Sequence, residues 1–491
     1  MRWLLVLVGA LCAVVCAGSA RAEWFRAETD RFIVYGDVDQ QALRDYAVRL
    51  SKFDQVLRIY APTKSKDPPA RKFEAYLVRG HGGLARVQPG LPETVGGFYF
   101  AGLQAVFAIG MTQPYGVTSK DVVLFHEYAH HFMLENFPAA YPTWFVEGWA
   151  DYFSTVKFTP EGFEVGGYEL ARAAWLSHGD WTPIRNLLRN PDRNTNVGMF
   201  YAQAWLLTHY MYDDQTRASQ LNSAMRAIGK GADPVKAIEE ATGASADHLA
   251  GQLRGYRQIH ISRFGGQPGP APVVTVTPIP QAEGELRLDQ LRLAVANVKK
   301  GDAGFLRDLK ARAAKAPGDE RLQLTAAEAE YVYGDPAAGD AIAERFLSAN
   351  GDDVQALATA GLGEVRAAER FPDRKTALYR AARASLIKAY QLDKSDYRVL
   401  FAYALSRSVE PAYPNDNDVN ALLEARNLAP SVAEISLWAG DALMRRGEKD
   451  VAMGVLAAIA NSPHNEHMAK AAHAVMDGKS LQQALADDKK D

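Results

Sequence analysis

Cysteine is nearly missing from this chain of 491 residues: there are two, Cys12 and Cys16, both inside the apolar N-terminal stretch. If that stretch is removed, none remains. Disulfides, thiol catalysis and cysteine zinc ligands are then excluded from the mature protein. Blocks of one charge are missing too. Lys and Arg number 55 against 58 Asp and Glu, a formal net charge of −3 with both signs mixed along the length. This excludes the basic footprint of a nucleic-acid binder or of a protein held to an acidic membrane surface. Beyond the N-terminal segment no run is long and apolar enough to span a bilayer.

That segment has the form of a secretory signal. Arg2 gives a positive start, residues 3–15 an apolar core, and Ala20-Arg21-Ala22 a small-x-small cleavage site, so residues 1–22 are expected to leave and Glu23 to become the first mature residue. Leu11 and Val15 precede the two cysteines and are not small, which argues against a lipid anchor. The expectation is a protein soluble in an exported compartment, the periplasm or the cell exterior. With 48% apolar and 10% aromatic residues the chain can bury large cores and should form two or three domains.

Ahead of residue 110 the pattern mixes strands and helix. Residues 31–36 read as a strand with a turn after it. Residues 39–60 read as an amphipathic helix, with Leu43, Tyr46, Ala47, Leu50, Phe53 and Leu57 on the buried stripe. Residues 72–78 read as a strand and 96–109 as a pair of strands. Residues 98–100 form an edge strand that could pair with an extended peptide.

The chain is organised around His126-Glu127-Tyr128-Ala129-His130. Thr118 and Ser119 can cap a helix here, and Val122, Val123, Phe125, Ala129, Phe132 and Met133 give it an apolar side. Residues four apart share a helix face, so His126 and His130 can reach one metal ion, and Glu127 can reach a water bound to it. A catalytic zinc takes three protein ligands and leaves a fourth position open. Downstream, Glu147 stands in an apolar helical run, where an unpaired carboxylate is costly to bury, so a cation partner is expected. Asp151, four residues on, is placed to accept the spare ring N–H of a ligand histidine.

His126-Glu127-x-x-His130 followed by Glu147-x-x-x-Asp151 resembles the gluzincin metallopeptidases, the group of thermolysin and the zinc aminopeptidases. The Pro142-x-Trp144-x-x-Glu147-Gly148-x-Ala150-x-Tyr152 context is most similar to the bacterial peptidase-MA-like branch. The resemblance implies one zinc ion held by His126, His130 and Glu147, with Glu127 as general base and Asp151 orienting His126. It also implies an α+β catalytic domain, a small mixed sheet plus a helical part. The step from His130 to Glu147 is slightly shorter than in thermolysin, and a short loop around Pro138 to Pro142 can accommodate it. Residues 200–207 resemble the aminopeptidase segment whose tyrosine faces the scissile carbonyl. Tyr201 matches that position and would hydrogen-bond the developing oxyanion. Tyr210 and Tyr212 are weaker candidates, His131 reads as structural, and His178 and His209 have no motif behind them. The aminopeptidase Gly-x-Met-Glu-Asn stretch, which binds a substrate amino terminus, has no counterpart; Gly97-Phe98-Tyr99-Phe100-Ala101 stands nearby without a carboxylate. This favours an endopeptidase acting on a peptide or protein.

The catalytic domain is expected over residues 23–264. A Pro/Gly-rich linker follows at 265–284, with a strut or short strand at 273–280. Residues 285–487 are Ala- and Leu-rich and helical. Turns at 317–319 and 350–352, and again at 428–430 and 462–463, are spaced about 33 residues apart, the tetratricopeptide length, with an insertion expected within 366–396. Such an all-α domain offers a groove to a protein partner. The rival reading is therefore a tetratricopeptide-like binding or scaffold protein with a weakly active or regulated metal domain. Hydrolysis of a non-peptide amide of the cell wall would use the same residues.

Overall fold

The computed structural model describes residues 24–63, 67–112, 120–139, 141–168, 170–189, 196–256, 258–460 and 466–487. The signal-like segment with both cysteines, the expected helix cap at Thr118 and Ser119, and the turn at 462–463 lie outside them.

The chain opens with β1 (Trp24–Glu28), β2 (Phe32–Gly36), α1 (Gln40–Tyr60), β3 (Phe73–Val78), α2 (His81–Val87), β4 (Gly97–Ala101), β5 (Val106–Met111), α3 (Lys120–Asn136) and α4 (Thr143–Ser154). There follow β6 (Lys157–Phe158), β7 (Gly162–Val165), α5 (Leu170–His178), α6 (Ile184–Leu188), α7 (Val197–Tyr212), α8 (Gln215–Ile228), α9 (Pro234–Thr242), α10 (Ala246–Gly255), β8 (Ser262–Gly265) and β9 (Thr275–Ile279). A mixed sheet of order β4-β5-β3-β2-β1-β9 forms the base, with β2, β3 and β5 parallel and the other pairings antiparallel. Strand alternation sorts its side chains. Phe32, Val34, Phe73, Ala75 and Ala108 point into the large core under α1, α3 and α4. Tyr35, Tyr76, Val78, Phe107 and Ile109 point to the other face.

That second face shows why residues 265–284 do not act as a linker. Thr275–Ile279 pairs antiparallel with β1, Glu28 opposite Thr275 and Trp24 opposite Ile279, so the stretch closes the sheet. Pro278, which cannot donate to a ladder, is tolerated because β9 is an edge strand. The next helix, α11 (Gln281–Ala294), then lays Leu288 and Leu291 onto the second face beside Leu84 and Val87 of α2. Asp289 of α11, buried, takes both guanidinium arms of Arg86, at 2.9 and 3.0 Å. The mixed sheet is thus finished by chain beyond residue 264.

The rest is helical: α12 (Ala303–Lys315), α13 (Glu320–Tyr333), α14 (Pro336–Ala349), α15 (Val354–Arg370), α16 (Lys375–Leu392), α17 (Tyr397–Arg407), α18 (Asp416–Leu428), α19 (Ala433–Arg445), α20 (Lys449–Ala460), α21 (Glu466–Met476) and α22 (Leu481–Asp487). Each packs on its sequence neighbour, and α13 also meets α15, as α15 meets α17. No inserted loop occupies 366–396. The extra length is spent in longer helices, α15 of 17 residues and α16 of 18.

The helical array is docked on the sheet's β4–β5 end through its inter-helix loops. Tyr397 donates its hydroxyl to the Gly102 carbonyl at 3.0 Å, and Leu103 and Val106 pack on the array's core. Arg71, just before β3, binds the Ser395 carbonyl at 3.0 Å and the carboxylates of Asp393 and Asp396 at 3.2 and 3.1 Å. A cavity of about 540 Å³ runs along this seam. On its wall, Glu135 of α3 lies beside Ser431, and burial pushes its carboxyl up to about 7. A raised carboxyl favours the folded state only while protonated. The stability it leaves intact below its ordinary value of 4.5 is lost as pH rises through about 7. Glu135→Gln is therefore expected to melt a few degrees above wild type near pH 8 and to match it near pH 4. Thermal scans at the two pH values check this, and parallel curves at both would remove Glu135 as the source.

Candidate metal centre

Two helices build the site, and their sequences say why they meet. On α3, Leu124, Phe125, Tyr128, Ala129 and Phe132 are buried and seat the helix against the sheet and α1. This leaves His126 and His130, one turn apart, on the side facing α4. Every residue of α4 is buried. Its one glycine, Gly148, lies against α7: a Cβ there would sit 2.2 Å from the Thr208 hydroxyl and 2.3 Å from the Ala204 carbonyl oxygen. The close α4–α7 approach fixes α4 in rotation and turns Glu147 and Asp151 toward the histidines.

The three donors form a small triangle. His126 Nε2 and His130 Nε2 are 3.0 Å apart, and Glu147 Oε2 lies 3.3 Å from the first and 3.5 Å from the second. Together they could hold a metal ion, and among the described residues they are the group of His, Cys, Asp and Glu that offers this. Glu147 is only 3% exposed and His130 8%. Asp151 Oδ1 lies 3.0 Å from His126 Nδ1, so the imidazole is held at its far side with Nε2 toward the triangle.

The electrostatics follow from burial and these partners. Burial opposes charge on His126, but hydrogen bonds and charge from Asp151 and Glu147 outweigh it and hold its pKa well above the ordinary histidine value. Burial likewise penalises the Glu147 carboxylate, and the two histidines overcome it, leaving the group well below its usual range. Glu127 goes the other way. Burial raises its carboxyl, helped by the charge of Glu147 and opposed by both histidines and the Tyr99 backbone N–H on β4. The base candidate therefore lies between the metal triangle and the sheet's edge strand.

Of the other residues singled out from sequence, Tyr201 on α7 stands at the site. Burial, then the charges of Glu147 and Asp151, keep its phenol protonated well above the ordinary tyrosine value. Tyr210 and Tyr212 are engaged elsewhere. Tyr210 lies under the Arg217 guanidinium at 4.2 Å, and Tyr212 stacks on Tyr152 at 5.3 Å. His209 is spent on structure: Nδ1 meets the Tyr256 hydroxyl and Nε2 the Gly166 carbonyl, each at 2.9 Å. His131 stacks on Phe73 at 4.2 Å and meets the Tyr99 hydroxyl at 3.1 Å, with burial lowering its pKa to about 3. The side chain of His178 lies outside the described residues. One residue was missed. Arg172 on α5 binds Asp151 through Nε at 2.9 Å and Nη2 at 3.3 Å. Its signal in the sequence is a lone cation inside the apolar run Leu170-Ala171-Arg172-Ala173-Ala174-Trp175, and nothing local links it to Asp151.

No known protein family, characterised protein or solved structure matches the chain. The argument for its chemistry thus stands on this geometry. Glu147→Ala removes the only carboxylate of the triangle and is expected to weaken divalent-metal binding more than about 100-fold. Asp151→Asn, which loosens only the far side of His126, should cost about 10- to 100-fold. Competition with a chromophoric chelator measures both, and a Glu147→Ala protein that keeps stoichiometric metal would remove Glu147 as a ligand.

Proposed function

We propose that the chain is an exported zinc-dependent peptidase of the gluzincin kind, acting within peptide chains, with a tetratricopeptide-like helical array attached. The observation that carries the reading is the triangle of His126, His130 and Glu147. Ligand atoms on a tetrahedral ion with bonds near 2.1 Å are about 3.4 Å apart, and the three separations of 3.0, 3.3 and 3.5 Å bracket that value. Two neutral nitrogens and one carboxylate oxygen are the borderline donor set that zinc accepts. When bound, the ion supplies Lewis acidity toward a water and a carbonyl oxygen.

The chain's own residues supply the proton handling. Glu127, on the same helix and raised in pKa by burial, takes a proton from the attacking water as the water oxygen bonds to the peptide carbon. As the C–N bond breaks, the same carboxyl returns that proton to the leaving amine. Tyr201 keeps its proton and donates a hydrogen bond to the carbonyl oxygen that gains charge. Asp151 holds His126 in the tautomer whose Nε2 is free of hydrogen. The edge strand β4, whose one strand partner among the described residues is β5, offers its other side to an extended substrate. Its sequence Gly97-Phe98-Tyr99-Phe100-Ala101 brings no carboxylate to anchor an amino terminus, which favours internal cleavage. The array reads as tetratricopeptide-like because its helices stack in neighbour pairs and the starts of α13 and α15, Glu320 and Val354, are 34 residues apart.

The test is digestion of a complex peptide mixture by zinc-loaded full-length protein beside Glu127→Gln. Internal cuts are expected from the wild type and a loss of about 1,000-fold or more from the variant, which should still bind one zinc. Near-normal cutting by Glu127→Gln would sink the assignment of the base. Stepwise loss of N-terminal residues would make the enzyme an aminopeptidase. No cut by either protein would favour the scaffold reading.

A further inference from the structure

Arg172 touches both halves of the site that the reading above separates, the metal-holding side and the oxyanion side. Its edge carries two hydrogen bonds to Asp151, Nε to Oδ2 at 2.9 Å and Nη2 to Oδ1 at 3.3 Å. Asp151 Oδ1 is the same oxygen that faces His126 Nδ1 at 3.0 Å. The guanidinium carbon also lies over the Tyr201 ring, 4.7 Å from the centroid. One guanidinium therefore holds a carboxylate through two N–H groups and sits over an aromatic ring. A guanidinium can do both at once, whereas an ammonium can do neither with direction.

The helices are arranged to keep it there. One turn after Arg172, Trp175 lies on Gly198, which is one turn before Tyr201. A Cβ at 198 would fall 2.3 Å from the indole ring. The pairs Arg172–Tyr201 and Trp175–Gly198 are thus two rungs of the same α5–α7 contact. The Arg172 side chain is only 25% exposed, so the pair with Asp151 is shielded on most sides. Its charge also acts on the Tyr201 phenol in the sense opposite to Glu147, Asp151 and Glu127.

We propose that Arg172 is a positioning residue that couples the two sides. Through Asp151 it fixes the ring of the ligand His126, and through its place over the Tyr201 ring it fixes the direction of the Tyr201 hydroxyl. The Tyr201 half rests on the peptidase reading, while the Asp151 half rests on metal binding alone.

Two double-mutant cycles on the full-length chain test the halves apart. The first reads zinc affinity by chelator competition and needs no turnover. Arg172→Gln is expected to weaken zinc about tenfold in the wild type and less than about twofold in an Asp151→Asn background. The second reads kcat and KM with zinc saturating, on a peptide that the wild type cuts. Arg172→Gln should lower kcat about 10- to 100-fold with KM within about twofold, the scale of a displaced rather than deleted donor. In a Tyr201→Phe background the same substitution should cost less than about threefold. Arg172→Lys keeps charge and stem and guards against a folding artefact. It should resemble Arg172→Gln in both cycles. Full multiplication of effects in either cycle, or wild-type behaviour of Arg172→Lys, overturns the coupling. If the wild type binds zinc but cuts no peptide, the peptidase reading and the Tyr201 half fall together. The zinc cycle still decides the Asp151 half.

Discussion

A carboxylate in the middle of a helix with no exposed side constrains everything around it. Glu147 is 3% exposed, and its helix α4 is buried at every position. Isolated, such a charge would cost several kcal/mol even after relaxation, and the group would protonate instead. Here its pKa is held low because two imidazoles from α3 converge on one oxygen. The cost of placing three acids, Glu127, Glu147 and Asp151, inside one core is therefore offset by partners on three other sides: the imidazoles of His126 and His130, the Arg172 guanidinium and, in the reading given above, a divalent ion. Helix α4 can occupy the core only because its acids are answered in this way. The site and the core are stabilised by the same contacts.

The same constraint explains the helix packing. Glu147 and Asp151 point one way only if α4 cannot rotate, and rotation is blocked by the close contact of Gly148 with α7. Helix α7 in turn delivers Tyr201 to the site and receives α5 at Gly198. Helices α4, α5 and α7 are thus registered against one another by glycines where a side chain would not fit. The precision of about 0.5 Å that such a site needs is reached by backbone contact rather than by long side chains.

The sequence made the short-range part of this legible. His126 and His130, and Glu147 and Asp151, are paired by the helical period, and that period survives folding unchanged. The amphipathic stripe of α1 and the β3 strand are also local patterns and lie where the sequence puts them. Short elements escaped: α2 has seven residues and begins His81-Gly82-Gly83, which carries no helical signal, and β6 has two. Long-range pairing escaped for a different reason. Nothing in Thr275–Ile279 names β1 as its partner some 250 residues earlier, and a Pro-rich stretch reads as a linker until an edge strand is available to take it. Arg172 was illegible in the same sense. A lone arginine in an apolar helix has many potential partners, and only the fold selects Asp151 and Tyr201.

The docking of the helical array changes what that array can be. A tethered recruiting module would touch the sheet at a flexible joint. Instead its loops grip the β4–β5 turn, through Tyr397 on Gly102 and Leu103 in the array's core. Ser431 of the α18–α19 loop reaches the Tyr99 hydroxyl of β4 and the Glu135 carboxyl of α3. Tyr99 also meets His131 through its hydroxyl and presents its backbone N–H to Glu127. A displacement of the array must therefore move, or break from, the strand that borders Glu127. The six-stranded sheet already depends on chain beyond residue 264 for its last strand and for the helix on its second face. The two parts thus share their contacts, and the array holds the β4–β5 edge of the sheet.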